Sequence, residues 1–375
     1  MKKAMLISCT NHYNERTVFF ENYFLKNGYE CTYITSDFNH STKSFYKLEK
    51  PNTIQIPTKS YKKNLSLSRI YSHLKFSKDV IKMVGQLNPD VLYIEIPPNS
   101  LSRQAIKYKK KKPNTKLIFD IFDMWPETFP SDKLKGLLKI PFSVWAWFRN
   151  CGLSCADVVF TECELFAKKL NQSLKEKECK VLYLCREKGL KETPTCQFDG
   201  DTLNLCYLGS INNIIDIETI SNLIKNLSLY KKTVLHIIGD GESREQLISS
   251  AKESGAEVVF YGKVYDQEKK QEIFNQCSFG LNIMKESVFI GLTMKSVDYF
   301  SGGLPIINSI GGDTFKMVDT DGIGVNINRN DLNETAQKIC NMNAEEVEKQ
   351  KANVYNKFNL CFTVDAFENV LEDNL

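Results

Sequence analysis

A chain of 375 residues, 42% apolar and 25% charged, is too long for one ordinary core, so two domains of about 150–200 residues are expected. Its twelve cysteines include no CxxC pair and its four histidines are dispersed, which argues against a disulfide framework or a zinc cluster; no apolar run approaches the ~20 residues that span a bilayer. Net charge is +4, but Met1–Leu190 carries 32 Lys and Arg against 18 Asp and Glu, a balance of +14, and the rest carries −10. A basic half takes nucleic acid or an anionic membrane surface as partner, and the features below favour the membrane.

The first segment, "KAMLISCT", reads as an apolar strand with no signal peptide before it, so the protein is expected in the cytosol. "ERTVFFENYFLKNG" is a helix with Phe19, Phe20, Tyr23 and Phe24 on one side and Gly28 at its end. "YECTYITSD" is a strand. A loop-rich stretch leads to the helix "SKDVIKMVGQLNPD" and the strand "VLYIEIPP". The basic helix "NSLSRQAIKYKKKK" and the strands "KLIFDIFD", "ADVVFTEC" and "CKVLYLC" follow. Strand–helix alternation with wholly apolar strands predicts a parallel sheet covered on both faces.

Periodicity stops over "GLKETPTCQFDGDT", the expected interdomain linker. A second alternation follows: "LNLCYLGS", "DIETISNLIKNL", "KTVLHIIGDG", "SREQLISSAKESG", "AEVVFYGKV", "DQEKKQEIFNQC", "FGLNIM", then "GLTMKSVDYFSGGLPI", a glycine loop opening a helix and ending in a strand. "GGDTFKMVDTDGIGVNIN" completes the sheet, and two helices end the chain. The fold class is therefore α/β, two Rossmann-like doubly wound domains. The expected division is 1–190 and 200–361, with a helix over 362–375 packing back on the first domain. In such sheets ligands sit at the carboxyl ends of strands, so two domains facing one another are expected to form a cleft there.

Four loops of the second domain follow strands: Gly209-Ser210, Gly239-Asp240-Gly241, Gly262-Lys263-Val264, and Gly291, Leu292, Thr293, Met294 and Lys295. The helix starting near Met294 offers free N–H groups and a positive dipole end to a phosphate. Lys295 adds a cation beside it. Asp298, one turn on, suits two hydroxyl hydrogen bonds, as ribose presents. A plain surface Lys–Asp pair is the alternative.

"GLTMKSVDYFSGGLPII" resembles the "GLPxKxxEYxAxGxPVI" signature of GT-B glycosyltransferases of the large retaining family 4 group. "LHIIGDGESREQL" and "VVFYGKV" resemble two further segments of it. "DIFDMWPETF" is similar to the "DLWPES" segment of members that build capsule, O-antigen and exopolysaccharide on lipid carriers. The resemblance implies a cytosolic hexosyltransferase at the inner membrane face. It would move a sugar from a nucleotide-sugar, UDP preferred, to a polyprenyl-diphosphate-linked saccharide, without metal or other cofactor. It places the base at Lys263 and Val264, the ribose at Asp298, and the diphosphate on Ser210 and Thr293 to Lys295, with Lys295 stabilising the departing diphosphate.

Two departures stand out. Ile290 replaces the first glutamate of the family's E-x7-E motif, leaving Glu286 as a nearby substitute toward the donor sugar. "GSINNIIDI" lacks the Arg and Lys that many relatives carry there, which makes Lys295 the main cation expected on the diphosphate. On the acceptor side, Asp123 ends a strand and is expected to orient the acceptor hydroxyl or take its proton. Asp120, Trp125, Glu127, His12 and Arg16 are its expected neighbours. Asp120 also fits a buried strand carboxylate, and Trp125 a packing anchor.

"KLKGLLKIPFSVWAWFR" (Lys133–Arg149) combines cations with two tryptophans and suits a membrane interface. Lys107–Lys112 adds a cationic run, as does "YKKNLSLSR". No nucleic-acid partner is expected. Two other functions fit less well. A 2-epimerase acting on UDP-sugars needs donor-side acids and histidines, and only His236, inside a strand, is available. A non-catalytic nucleotide-sugar-binding partner of another transferase is favoured by Ile290. A Rossmann dehydrogenase is excluded, because "SCTNHYNE" stands where GxGxxG belongs.

Overall fold

The computed structural model describes residues 1–10, 14–129, 136–174, 177–189 and 201–375. His12 and most of the expected linker lie outside these. The chain divides into two units, Met1–Tyr183 with Glu368–Leu375, and Leu184–Phe367. The division falls before the expected boundary at 190, and the returning segment is shorter than 362–375.

The amino-terminal unit contains the strands β1 (Lys2–Ile7), β2 (Tyr29–Ser36), β3 (Phe38–Asn39), β4 (Ser44–Phe45), β5 (Thr53–Ile56), β6 (Val91–Ile96), β7 (Lys116–Ile121), β8 (Val158–Thr161) and β9 (Lys180–Val181). Its helices are α1 (Asn14–Lys26), α2 (Leu67–Leu87), α3 (Asn99–Lys111), α4 (Lys139–Leu153) and α5 (Glu164–Asn171). The seven-stranded sheet runs β5-β2-β1-β6-β7-β8-β9, all parallel. All six residues of β6 are buried, as a strand covered on both faces requires. The edge strand β5 falls in the stretch read as loop. So does the first half of α2, whose start is fixed by Ser66 accepting the Arg69 N–H at 3.3 Å; it ends at Asn88 in the left-handed conformation before Pro89.

The carboxy-terminal unit has β10 (Thr202–Leu208), α6 (Ile217–Leu227), β11 (Lys232–Ile238), α7 (Arg244–Glu253), β12 (Glu257–Gly262), α8 (Gln267–Gln276), β13 (Phe279–Asn282), α9 (Met294–Ser301), β14 (Ile306–Asn308), α10 (Gly312–Asp321), β15 (Gly324–Asn326), α11 (Leu332–Cys340) and α12 (Ala344–Cys361). The last helix, α13 (Val364–Asn374), crosses the division near the end of the chain. The six strands run β12-β11-β10-β13-β14-β15, all parallel. Counted from β10 this is the 3-2-1-4-5-6 Rossmann order, whose switch point lies between β10 and β13. The amino-terminal sheet has the same reversal between β1 and β6. The core of the second unit joins strand residues such as Leu205, Leu235 and Leu281 to Ile220, Leu223 and Ile224 of α6.

Candidate functional site

At the carboxyl end of β10, β11 and β12 three turns are bonded into one surface. Gly209 donates its N–H to Ile238 O at 2.9 Å, Gly239 to Gly262 O at 2.8 Å, and Ile211 to Asp240 O at 3.0 Å. Gly239 sits at φ +143, and a Cβ there would lie 1.9 Å from Gly209 O. Only glycine allows this approach. Ser210 is exposed and its carbonyl accepts the Tyr207 hydroxyl at 2.9 Å. Lys263 is exposed and Val264 half-buried directly after β12.

Across the switch point, Thr293 caps α9. Its Oγ1 accepts the Ser296 N–H at 3.1 Å and donates to Asn282 Oδ1 at 3.1 Å. Asn282 Nδ2 donates to Asn308 Oδ1 at 2.9 Å, and Asn308 Nδ2 to Asn326 Oδ1 at 2.8 Å. These asparagines stand in register at the ends of three adjacent strands. The Gly291 carbonyl is held by the Thr314 N–H and hydroxyl at 2.9 and 2.7 Å. Tyr299 ties the same helix to β10, accepting the Leu208 N–H at 2.7 Å; its ring lies on Gly280, where a Cβ would come within 2.8 Å. The start of α9 is thus fixed from both sides, and its first-turn donors lie in the switch-point crevice.

Lys295 is half-buried, with Nζ 4.9 Å from the Tyr207 ring centroid. Among the described residues it forms no ion pair, and burial lowers its ammonium pKa to about 8. Arg244, also near these turns, bonds Asp240 and Glu245. Met294 is exposed, whereas Leu292 is buried, so Leu292 can offer a ligand only its backbone. Asp298, expected to be free for ribose, instead accepts Arg186 Nε at 2.8 Å on Oδ1. Glu286 is 78% exposed and lies 3.4 Å from Arg329. Arg329 also bonds Asp216 at 2.6 Å and the Met284 carbonyl, bracing the loop after β13. His236 is wedged between Tyr261 and Asn204 at 2.9 and 3.1 Å, and burial lowers its pKa. Among the described residues no group of three or more His, Cys, Asp or Glu could hold a metal ion.

The expected acceptor residues divide sharply. Asp120 is the buried strand carboxylate that was the alternative to an acceptor role, and Arg16, expected on the acceptor side, is its partner: the two are 0% and 3% exposed and bonded to each other at 2.6 and 2.8 Å. Tyr93 adds a third bond to Asp120 at 2.8 Å. Two charges taken this far from water persist only because each neutralises the other. Glu95, next to Asp120 in register, is buried, and desolvation lifts its carboxyl to about 8. Glu127 is taken by the buried Arg149, at 2.7 and 2.9 Å, and so clamps the turn after β7.

Asp123 and Trp125 line a cavity of about 340 Å³ at the switch point of β1 and β6, with His40, Asn64, Arg69 and Phe129. Asp123 Oδ1 accepts the Thr128 hydroxyl at 2.6 Å, and burial raises its carboxyl above the ordinary range. Trp125 is the packing anchor expected, in edge-to-face contact with Phe142 and Trp145, and it also borders the cavity. Arg69 was expected only among the cations of a membrane-facing run, because its helix turn reads as loop. The asparagine ladder escaped because Asn at a strand end reads as a turn signal; its trace was the same residue type closing three strands.

Residues 202–345 match the family model described as Glycosyl transferases group 1. No curated protein matches the sequence. Among solved structures, the lipopolysaccharide outer core galactosyltransferase WaaB superposes with a TM-score of 0.69 at 17% identity, covering 100% of both chains. Sucrose-phosphate synthase from Thermosynechococcus elongatus gives 0.69 at 12% identity, covering 100% of this chain and 98% of that one. Anabaena HepE in complex with UDP gives 0.68 at 13%, covering 100% and 99%. The chain has the GT-B fold, two Rossmann-like units, and the stretch matching glycosyl transferases group 1 lies in its carboxy-terminal unit.

Proposed function

We propose that the protein is a glycosyltransferase that moves a hexose from a nucleotide-sugar, UDP-linked by preference, to a lipid-linked saccharide in surface polysaccharide synthesis. The observation that carries this reading is Lys295: a desolvated ammonium without an ion-pair partner among the described residues, at the start of α9, opposite three glycine turns. A diphosphate supplies the two negative charges such a site lacks. Ser210, Gly239, Gly291 and the amides of Thr293 to Lys295 would line it, with the base at Lys263 and Val264. Asp298 keeps Oδ2 for a ribose hydroxyl while Arg186 orients it. Glu286, or the backbone near Ile290, would meet the donor sugar. Lys295 neutralises the diphosphate as it departs, and Asp123 receives or orients the acceptor hydroxyl; no metal or other cofactor is needed for these roles. HepE was solved with UDP, and WaaB is a galactosyltransferase of lipopolysaccharide; both favour this donor and acceptor class. The family resemblance favours retention at the anomeric carbon.

UDP release from a panel of UDP-sugars, measured with and without membrane lipid extract, tests the reading. Release that needs both the correct sugar and the extract is expected. Binding without release would make the chain a nucleotide-sugar-binding partner instead.

The acceptor's lipid implies a membrane-facing surface, and the exposed residues at α4 support placing it there. Among the described residues no helix is long and apolar enough to cross a bilayer. Leu137 and Ile140 are 79% and 78% exposed, and Val144 and Trp147 are exposed on the same stripe. α3, bonded to α4 through Ser102 Oγ and Arg149 O at 2.6 Å, adds exposed Arg103, Lys107, Lys110, Lys111 and Lys112. Lys109 is excluded, because it bonds Asp157 at 2.6 Å. An apolar stripe edged by cations suits an anionic leaflet. Reversing Lys107, Lys110, Lys111 and Lys112 to Glu is expected to reduce co-sedimentation with anionic liposomes at least tenfold at about 0.1 M salt. Unchanged sedimentation would make these lysines an ordinary solvated face.

A further inference from the structure

The cavity beside Asp123 is lined by one guanidinium, Arg69, and one carboxylate, and a second cation, Lys43, reaches its wall at Asn64. Arg69 stands in the first turn of the 21-residue helix α2, where the dipole end is positive. Its guanidinium lies 6.0 Å from the Tyr61 ring and 5.8 Å from the Trp125 ring. Nη1 donates to Asn64 O at 3.0 Å, but Nε is buried without a hydrogen-bond partner. Lys43 Nζ approaches the same two residues, 2.5 Å from Asn64 Oδ1 and 4.9 Å from the Tyr61 ring. His40 bonds the Tyr61 hydroxyl at 2.7 Å. Among the described residues neither Arg69 nor Lys43 forms an ion pair, and Asp123 is the single carboxylate on the cavity wall. Asp123 is already bonded to Thr128.

Two cations on one aromatic ring repel one another, and the pKa of Lys43 is lowered by desolvation first and by Arg69 second. His73 is held neutral by burial and by the same arginine. A buried guanidinium N–H left unsatisfied destabilises the ligand-free protein. An anion entering here satisfies that donor and removes the repulsion together. Trp125 and Phe129 border the same space, and Asp123 accepts a hydroxyl hydrogen bond.

We propose that this cavity binds a phosphorylated sugar, its phosphate held by Arg69 and Lys43 and its ring lying between Trp125 and Asp123. The assignment rests on the transferase reading, in which this phosphate is the one that joins the acceptor saccharide to its carrier. Specificity for a phosphorylated acceptor then resides in residues remote in sequence from the DIFDMWPE segment.

Calorimetry on the full chain, without donor, tests this with four probes: a sugar 1-phosphate, a short-chain prenyl-diphosphate sugar, inorganic pyrophosphate and the unphosphorylated sugar. Both phosphorylated sugars are expected to bind at least tenfold more tightly than the other two. Arg69→Gln and Lys43→Gln are each expected to weaken that binding at least tenfold and to leave UDP affinity within twofold. Lys43 is partly exposed, so its variant keeps the experiment decisive even where Arg69→Gln folds poorly. Wild-type affinity in both variants, equal binding of the unphosphorylated sugar, or no binding of any phosphorylated probe overturns the site. The ranking of the two phosphorylated sugars separates a lipid-linked source from a soluble one. Arg69-dependent binding in a protein that never releases UDP would remove the transferase reading and leave the site standing.

Discussion

Lys295→Ala is expected to lower turnover at least tenfold, about 1.4 kcal/mol of transition-state stabilisation, with no loss of folded protein. The second half of that expectation follows from electrostatics. Burial sets the folded pKa near 8 against an ordinary 10.5, so the unfolded chain holds this proton more tightly. The charged ammonium therefore costs the ligand-free fold stability at every pH below 8. That cost is relieved as pH rises from 8 to 10.5. Removing the group should leave the melting temperature at pH 7 unchanged or slightly raised. A bound diphosphate reverses the balance by supplying the missing counter-charge. UDP should raise the melting temperature of the wild type and have far less effect on the variant. Wild-type affinity for UDP should fall as pH climbs through 8, when the ammonium is lost, and the variant should show no such step. Full turnover in Lys295→Ala, or a UDP affinity flat across pH 8 in the wild type, would take the diphosphate away from α9.

The sequence made the double strand–helix alternation legible because parallel strands buried on both faces need nearly unbroken apolar runs. β6 and β11 are legible for that reason. It made the glycine turns of the second unit legible because close backbone approach needs glycine, and Gly239 has no alternative against Gly209 O. What it concealed is partnership. Nothing local to Arg16 or Asp120 reveals that a residue 104 positions away will neutralise it. The same holds for Asp298 and Arg186, which are 112 apart. A carboxylate near a strand end therefore reads alike whether it lines a cavity, as Asp123 does, or meets a guanidinium, as Asp120 does. The early turns of α2 were hidden differently. "NLSLSRIYSHLKF" alternates apolar and polar residues at its start, which obscures the helical period until the chain has passed Arg69. The residue with most bearing on the amino-terminal cavity was lost with that helix turn.

The exchange of roles between Asp120 and Asp123 leads to the second large effect. Asp120→Ala is expected to destabilise the amino-terminal unit by about 3–5 kcal/mol, because it leaves the Arg16 guanidinium buried and unpaired. Three hydrogen bonds vanish with it, two from Arg16 and one from Tyr93. For a unit of this size the shift in melting temperature is roughly 6–20 °C. Removing both charges tests whether the loss is the pair's own. Arg16→Met with Asp120→Ala should recover most of the stability, because an apolar pair of similar volume no longer strands a charge. Asp123→Ala should behave in the opposite manner. Its side chain is only partly buried and, among the described residues, its one side-chain hydrogen-bond partner is Thr128, so the fold should survive while transfer to the acceptor falls. An unstable Asp123→Ala beside a stable but inactive Asp120→Ala would exchange the two roles and move the acceptor hydroxyl to β7's interior carboxylate.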